Sequence, residues 1–158
     1  MLFRSDWKNN STGALCSYNN NVQNDIPYGK LYNWFAVANS KKLCPAGWHV
    51  PTDTEWSNLE SFLGGNSVAG GKMKSTGTKY WNCPNGAADN SSGFSGLPGG
   101  KRDADGSFFE INTNGNWWTA TDYEPEYALN RSILYLNGGL EFNGELKQSG
   151  FSVRCVKD

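Results

Sequence analysis

From residue 107 onwards the chain alternates short β-type runs with glycine-containing turns, and this pattern constrains the fold more than any other feature. Five runs rich in aromatic and branched residues follow one another: SFFEI, NWWTATD, YALNRSILYL, GLEF and GFSVRCVKD. The turn signals of this region are Asn114-Gly115, Gly138-Gly139 and Asn143-Gly144. Asn-Gly and Gly-Gly pairs are typical of tight hairpins. We therefore predict a sheet of short strands in this half of the chain.

Two helical patterns precede the sheet. The first places four residues on one helical stripe: Leu31, Trp34, Phe35 and Ala38. The second begins at Thr52, which forms a capping box with Glu55, and it ends at Gly64-Gly65. Its predicted buried stripe consists of Trp56, Leu59, Phe62 and Leu63. Asp53 and Glu55 lie in the first turn, where carboxylates interact favourably with the helix dipole, so we expect structural roles for both.

The segment from 64 to 106 is rich in Gly, Ser and Asn, and we predict an ordered loop region there. Its expected anchors are Tyr80, Trp81, Phe94 and Leu97. With 19 Gly and 14% aromatic residues, the composition suits short strands and irregular loops rather than a helical bundle. We expect one domain over 1–158, in which 1–12 is an irregular or truncated lead-in. The start of the chain lacks a signal-peptide core, so we do not expect the chain as given to be exported. Because Met1 is followed at once by sequence typical of the middle of a domain, we also expect a fragment of a longer protein.

The charge pattern excludes several classes of partner. The chain has 14 basic and 15 acidic residues and no run of Lys or Arg, so we expect no nucleic-acid partner and no binding to anionic membranes. No apolar run reaches the length of a membrane span, which argues against direct membrane insertion. No phosphate-binding or dinucleotide-binding motif is present.

The residues capable of catalysis are few. His49 is the only histidine, and without a second histidine or a recognisable Cys-His signature we expect it to pack or hydrogen-bond at the helix entry. The four cysteines are Cys16, Cys44, Cys83 and Cys155. Their spacing does not suit a zinc site, so we predict no resident metal. Two disulfides in an exported protein, or four free thiols in a cytosolic one, both fit the sequence.

Two acidic stretches are candidate ligand sites. Asp103 and Asp105 resemble the start of a calcium loop, but the downstream Glu is missing, so an Asp-Gly turn into the next strand is favoured. These two residues are the weak candidates for structural calcium, and no other cofactor is expected. Asp122, Glu124 and Glu126 are interpreted as a solvated loop because no second acidic cluster completes a catalytic pair.

A surface, rather than a point, carries the strongest functional signal. Strand alternation in YALNRSILYL separates Arg131, Ile133 and Tyr135 from the opposite parity, which mixes amide, hydroxyl, acidic and aliphatic groups. We predict that this parity and the adjoining turns form a ligand-binding face between residues 122 and 149. Its candidate residues are Trp117, Trp118, Tyr123, Glu124, Asn130, Ser132, Leu134, Leu136, Asn137, Glu141, Asn143 and Glu145. An ordinary solvated sheet face is the alternative.

Several long motifs resemble the Fibrobacter succinogenes major paralogous domain, a family common in bacterial surface proteins. They are GALCSYNNN, YGKLYNWFAV, LCPAGWHVPTDTEW, GGKMKSTGT, GFSGLPGGKRDADGSF, NWWTAT and SGFSVRCVKD. The family is similar to the formylglycine-generating-enzyme branch of the C-type lectin fold. The resemblance implies an α+β, C-type lectin-like fold in which two helices pack on a twisted, mostly antiparallel sheet with long ordered loops.

The resemblance also carries expectations about individual residues. By analogy with C-type lectins it implies a disulfide between Cys44 and Cys155, and Cys16 with Cys83 then follows by elimination. The catalytic cysteine pair of the enzyme branch has no counterpart, and EPE at 124–126 departs from the lectin sugar-binding triplet. The same fold hosts variable proteins of diversity-generating retroelements. On their pattern Arg131, Ile133 and Tyr135 belong to the constant scaffold. The positions that the pattern makes variable are Asn130, Ser132, Leu134, Leu136, Asn137, Gly139, Glu141, Asn143 and Glu145.

Together these observations predict a non-enzymatic ligand-recognition or adhesion module of a bacterial surface protein. Its expected partner is a protein or glycan on a host or neighbouring cell, and its expected location is extracellular or at the cell surface. A retroelement-diversified variable protein is one form of this hypothesis. The alternatives are a structural module of a surface assembly and, with less support, an enzyme of the formylglycine-generating type.

Overall fold

The computed structural model describes residues 7–39 and 43–158 and has a mixed α+β architecture. The first six residues of the expected lead-in lie outside the described residues. The described helices are α1 (Asp25–Tyr28), α2 (Trp34–Val37), α3 (Asp53–Phe62) and α4 (Asn66–Met73). The described strands are β1 (Leu15–Cys16), β2 (Leu31–Tyr32), β3 (Trp48–His49), β4 (Gly99–Arg102), β5 (Phe108–Ile111), β6 (Asn114–Asp122), β7 (Tyr127–Leu134), β8 (Leu140–Leu146) and β9 (Val156–Lys157).

The central sheet is antiparallel, with strand order β6-β7-β8. The remaining strands form the antiparallel pairs β1-β2, β3-β9 and β4-β5. The sheet-rich second half is therefore confirmed. Two of the predicted turns are wrong, because Asn114-Gly115 lies inside β6 and Asn143-Gly144 lies inside β8. These glycines make room for aromatic rings instead: a Cβ on Gly115 would lie 2.4 Å from the Trp117 ring, and one on Gly144 would lie 3.1 Å from the Tyr123 ring.

Helix α3 begins as its sequence predicts. The Thr52 hydroxyl accepts the Glu55 amide, and the Glu55 carboxylate accepts the Thr52 amide at 2.8 Å, which confirms the capping box. Trp56 and Leu63 are buried, but Phe62 is 85% exposed, so its predicted place in the buried stripe is wrong. At about 100° per residue, Phe62 lies roughly 120° around the helix from Trp56 and leaves the core-facing side.

The first helical prediction is too long, because Leu31 belongs to β2 and α2 covers only Trp34–Val37. The predicted loop region from 64 to 106 contains α4 and β4, which its composition concealed. Close packing explains the glycines of α4. A Cβ on Gly70 would lie 1.9 Å from the Gly139 carbonyl oxygen, so only glycine allows the helix to approach the start of β8.

Two hydrophobic clusters cover the two faces of the central sheet. On the helical side Trp56, Met73, Trp81 and Trp117 pack with Ile133, and half-buried Phe94 contacts this cluster. On the other side the buried members are Trp34, Trp118, Ala128 and Phe151. Because both faces are packed, the sheet is a middle layer of the domain rather than an open platform.

A disulfide joins the two halves of the chain. Cys44 and Cys155 are bonded across 111 positions, which confirms the pairing implied by the resemblance. Strand β9 pairs with β3 beside it, with Val156 opposite His49. Disulfides persist in oxidising compartments, so this bond is typical of exported proteins. Within the described residues, no helix combines the length and apolar character required to cross a membrane.

Candidate ligand-binding groove

An open groove with a volume of about 910 Å³ lies beside the edge of the central sheet. We call it the β8 groove. Helix α3, the start of α4 and the β7–β8 hairpin form its walls. Its lining residues are Asp53, Ser57, Glu60, Asn66, Ser67, Arg131, Asn137, Gly139, Leu140, Glu141, Phe142 and Asn143. Nine of its twelve lining residues are polar or charged, and one, Phe142, carries a large aromatic side chain.

Arg131 fixes the wall that α3 contributes. Its Nε donates to Asp53 Oδ1 at 2.9 Å, one terminal nitrogen donates to Glu60 Oε2 at 2.8 Å, and the other donates to Ser57 Oγ at 2.8 Å. The side chain is only 4% exposed. A guanidinium with several fixed carboxylate and hydroxyl acceptors has little rotational freedom. The polar face of α3 is thus held rigidly over β7.

Phe142 forms the opposite side of the groove. It is 62% exposed, and the Arg131 guanidinium carbon lies 5.5 Å from its ring centroid. The register places Phe142 directly opposite Arg131, so both side chains point to the helical side of the sheet. An exposed aromatic ring beside a fixed cation can still offer its free side to a ligand.

Buried Lys74 stabilises the turn between β7 and β8 by hydrogen bonds to backbone carbonyl groups. Its Nζ donates to the carbonyl oxygens of Gly86, Leu134 and Asn137 at 2.6, 2.9 and 2.7 Å. Burial lowers the pKa of Lys74 to about 8. Sequence reasoning missed this residue because a lysine in a Gly-rich segment gives no local sign of burial.

The β8 groove brings together three of the predicted ligand-binding residues, Asn137, Glu141 and Asn143. All three are exposed. Tyr123, Glu124 and Leu136 are also exposed but do not line the groove. Leu134 and Glu145 are only half-buried and likewise lie outside it.

The two predicted tryptophans do not supply contact area for a ligand. Trp117 is 5% exposed and packs against Phe94, with ring centroids 5.4 Å apart. Trp118 is fully buried, stacks on Phe151 at 4.5 Å, and donates its indole N–H to the Tyr32 carbonyl oxygen at 2.8 Å. They lie on opposite faces of β6, and each face has its own hydrophobic cluster. Their assignment to the ligand-binding face is therefore wrong.

Asn130 and Ser132 are also corrected, since they are 2% and 5% exposed. They belong to a buried polar chain in which Asn130 donates to Ser132 at 3.1 Å and Ser132 donates to Asn116 at 2.8 Å. Asn116 donates in turn to Glu110 at 3.1 Å and to the Gly100 carbonyl oxygen at 3.3 Å. The β4–β5 pair contacts β6 on this face of the sheet, and the polar side chains of the expected variable parity form an internal network with it.

The weak calcium candidates form a turn, as favoured from sequence. Asp105 accepts the Ser107 amide at 2.8 Å, and Asp103 pairs with Lys101 at 3.1 Å. Lys101 also lies 3.8 Å from Glu145, whose pKa is raised by burial. In the part of the chain that the structure describes, no group of three or more His, Cys, Asp or Glu side chains is arranged to hold a metal ion.

His49 links Asp158, which follows β9, to the first turn of α3. Its Nδ1 lies 2.6 Å from Asp158 Oδ1 and its Nε2 lies 2.8 Å from Glu55 Oε1. Hydrogen bonds to Asp158 and then to Glu55 raise the pKa of His49. The predicted hydrogen-bonding role at the helix entry is confirmed.

The second predicted disulfide is wrong. Cys16 and Cys83 are both free thiols. Burial raises the pKa of Cys16, so this thiol is a poorer nucleophile at neutral pH than an ordinary cysteine. Elimination failed as an argument because it assumed that every cysteine has a partner.

The groove residues that sequence reasoning missed are Asp53, Ser57, Glu60, Asn66, Ser67 and Phe142. A signal for three of them existed. Asp53, Ser57 and Glu60 follow i, i+4, i+7 spacing on the polar side of the predicted helix. That spacing marks a polar stripe, but it does not say whether the stripe meets water or another element.

The sequence comparisons place the chain in one family. The model of the Fibrobacter succinogenes major domain matches residues 4–157, nearly the whole chain. No curated protein and no solved structure matches the chain. The chain therefore belongs to the Fibrobacter succinogenes major domain family.

Proposed function

We propose that this domain is a ligand-recognition module of an extracellular or cell-surface protein, and that its fold is C-type lectin-like. The observation that carries the proposal is the β8 groove, an open cleft of about 910 Å³ with fixed polar walls and an exposed aromatic ring. Binding sites commonly combine a concave shape with a few well-positioned polar groups. The ligand is a protein or glycan on a host or neighbouring cell.

The groove has the rigidity that recognition requires. Arg131 fixes α3, Lys74 fixes the β7–β8 turn, and the Cys44–Cys155 bond ties the last strand to the first half of the domain. A surface that is already ordered before binding loses less conformational entropy when the ligand arrives. Asn137, Glu141 and Asn143 can therefore present hydrogen-bonding groups in a defined arrangement.

The enzyme alternative has weaker support. A formylglycine-generating type of reaction requires a reactive thiol in a cleft. Two of the four cysteines are joined in a disulfide, and burial raises the pKa of Cys16. Neither free cysteine lines the β8 groove. A non-enzymatic role without a cofactor is the simpler proposal.

Diversification by a retroelement, if this gene has it, would act on fewer positions than strand parity suggests. Substitution at Asn130 or Ser132 would disturb the buried polar chain, and substitution at Asn137 would remove the acceptor of the Gly139 amide, whereas Glu141 and Asn143 are exposed and can vary without loss of packing. A near-copy of the DNA for residues 137–145 beside a reverse transcriptase gene supports this form of the proposal. Variation concentrated at codons 130 and 132 contradicts it.

An array of glycans and cell-surface proteins tests the main proposal. We expect the wild-type domain to bind at least one ligand and the combined variant Glu141→Ala, Asn143→Ala to lose that binding while it unfolds at the same temperature. The matched control is Thr76→Ala with Thr78→Ala, two exposed positions outside the groove. Ligand binding that survives the groove variant, or no binding to any arrayed molecule, favours a structural module instead.

A further inference from the structure

We infer that the β8 groove takes an extended, lysine- or arginine-containing segment of a protein partner, added as a fourth strand to the edge of the central sheet. The inference rests on the proposed recognition function and names its ligand class. Three observations support it: the exposed edge of β8, the shape of the groove along that edge, and the sign of the exposed charge.

Strand β8 is an edge strand, because the sheet order is β6-β7-β8. Its middle residues Glu141, Phe142, Asn143 and Gly144 are all exposed. Within the described residues, the backbone groups of 141–145 have hydrogen bonds only in the β7–β8 ladder. In an antiparallel pair about half of the N–H and C=O groups of an edge strand point away from its neighbour. These groups are ready to pair with another strand.

The groove lies between α3 and β8 on the helical side of the sheet and extends to the free edge of the strand. Four consecutive residues of β8, Leu140–Asn143, line it. Successive side chains of a strand point to opposite faces, and residues of both orientations line the groove, so the groove reaches the free edge of β8. An extended peptide is the ligand whose shape and backbone match such a site.

The exposed charge of this region has one sign. Between 122 and 149 there are five acidic and two basic residues. The two basic residues, Arg131 and Lys147, are 3% and 6% exposed. Arg131 is paired with Asp53 and Glu60, and Lys147 with Asp122. The exposed charged side chains of this segment are therefore the carboxylates of Asp122, Glu124, Glu126 and Glu141.

The whole chain has a net charge of only −1, so this acidic surface is a local feature. Inside the β8 groove, the carboxylates of Asp53, Glu60 and Glu141 outnumber the single guanidinium of Arg131. A negative surface attracts and orients a positive partner. The exposed rings of Phe142 and Tyr123 can also contact a lysine or arginine side chain through cation–π interaction.

Strand addition also explains the amphipathic character of β8. Side chains of alternate residues in the added strand would reach the helical side, towards Glu60 and Phe142, or the opposite side, towards Glu141 and Asn143. Backbone pairing supplies affinity without regard to sequence, and the alternating basic residues supply selectivity. A glycan would use the same polar side chains but would have no use for the free backbone groups.

Fluorescence anisotropy with three labelled peptides of 7 residues, the length of β8, tests the inference. The first alternates Lys with Thr, the second alternates Glu with Thr, and the third is the Lys peptide with N-methyl groups on alternate amides. We expect the Lys peptide to bind and each of the others to bind at least about tenfold more weakly. Equal binding of the methylated and unmethylated Lys peptides overturns strand addition.

Two variants locate the site. The change Glu141→Lys with Phe142→Thr should weaken Lys-peptide binding by about tenfold or more, because it reverses a charge and removes the ring. The control Asp105→Asn removes a distant carboxylate but keeps an oxygen for the Ser107 amide. Equal losses in both variants would mean non-specific charge attraction and overturn the inference. Circular dichroism must give both variants the wild-type unfolding temperature.

The outcome also separates this inference from the proposed function. If an arrayed glycan binds and the groove variant abolishes that binding, while the Lys peptide does not bind, the recognition function stands and the basic-peptide inference fails. If the Lys peptide binds, and the variant Glu141→Lys with Phe142→Thr reduces its affinity while Asp105→Asn does not, both stand. Failure of every peptide and every arrayed ligand contradicts both.

Discussion

Strands β7 and β8 are paired along their length, from Tyr127 with Leu146 to Ile133 with Leu140, yet their environments are opposite. In β7 the residues from Asn130 to Ile133 are all buried, whereas in β8 those from Glu141 to Gly144 are all exposed. The central strand has packed layers on both faces, and the edge strand has them on neither face at its middle. Sequence parity therefore separates surface from core only where one face of a sheet is open.

The largest effect on stability is expected when an apolar side chain of β7 is shortened. Ile133→Ala should lower the free energy of unfolding by about 4 kcal/mol, because it leaves a cavity among Trp117, Met73 and Leu140. Urea denaturation measures the change. A loss below about 1 kcal/mol would mean that the sheet relaxes around the gap and that the two strands differ less than burial indicates.

The charged side of β7 comes next. Arg131→Met should cost about 3 kcal/mol, because Asp53 and Glu60 lose their shared partner. The estimate lies at the low end for a buried pair, since both carboxylates keep some contact with water. Arg131→Lys is the matched control and should recover part of the loss. Equal stability of the Met and Lys variants would contradict a role for the forked hydrogen bonds.

The polar side of β7 has a smaller expected effect. Ser132→Ala should cost about 2 kcal/mol, because Asn116 Oδ1 and the Asn130 side-chain amide lose their shared hydroxyl inside the domain. Thr78→Ala, at an exposed position, should change stability by less than about 0.5 kcal/mol. An unchanged free energy of unfolding in Ser132→Ala would mean that this face of β7 is solvated, as the sequence predicted, rather than buried.

Near the β3–β9 pair, unlike in β7, the expected effect on stability depends on pH. The pKa of His49 is raised above 6.5 by Asp158 and Glu55, so the stability it contributes is present below pH 6.5 and is lost as pH rises through its folded value. The pKa of Glu55 is lowered from 4.5, chiefly by the Thr52 amide, so its contribution is present above pH 4.5 and is lost on acidification.

Thermal unfolding across this range should therefore show a shallow maximum of stability between about pH 4.5 and 6.5 in this contribution. His49→Gln should remove the decline on the alkaline side, and comparison with the wild type isolates it from other titrating groups. A decline of unchanged size in the variant would assign it to another residue.

The smallest expected change lies in β8 itself. Phe142→Ala should alter the free energy of unfolding by less than about 0.5 kcal/mol, because the ring is mostly exposed. The same substitution should reduce ligand binding. A large loss of stability would show that Phe142 packs on Arg131 as part of the core and would place β8 in the same class as β7.

Local features of the fold were predictable from sequence because they depend on neighbouring residues. Thr52 and Glu55 form their capping box within one turn, and the strands after residue 107 follow alternation over a few positions. Helix α4 was not predictable, because glycine is a poor helix former and Gly70 is needed only for contact with Gly139, far along the chain. The glycines of β6 and β8 misled in the same way, since they accommodate rings rather than turns.

For the candidate site, the sequence placed some of the predicted residues in the groove and others where the structure buries them. Asn137, Glu141 and Asn143 line the groove, whereas Trp117, Trp118, Asn130 and Ser132 are buried. The α3 wall was missed because its polar stripe gives no sign of facing β7. Which residues of this segment are accessible to a ligand depends on which strand lies at the edge of the sheet and on what covers each face.

The sequence by itself determined the family, the capping of α3, the strand-rich second half and, through the family resemblance, the bond between Cys44 and Cys155. Only the tertiary structure decided that β7 is covered on both faces, that Cys16 and Cys83 remain free, and that α3 and β8 enclose a groove. The physical reason is range. Capping and alternation act over a few residues, whereas burial depends on elements that come from distant parts of the chain.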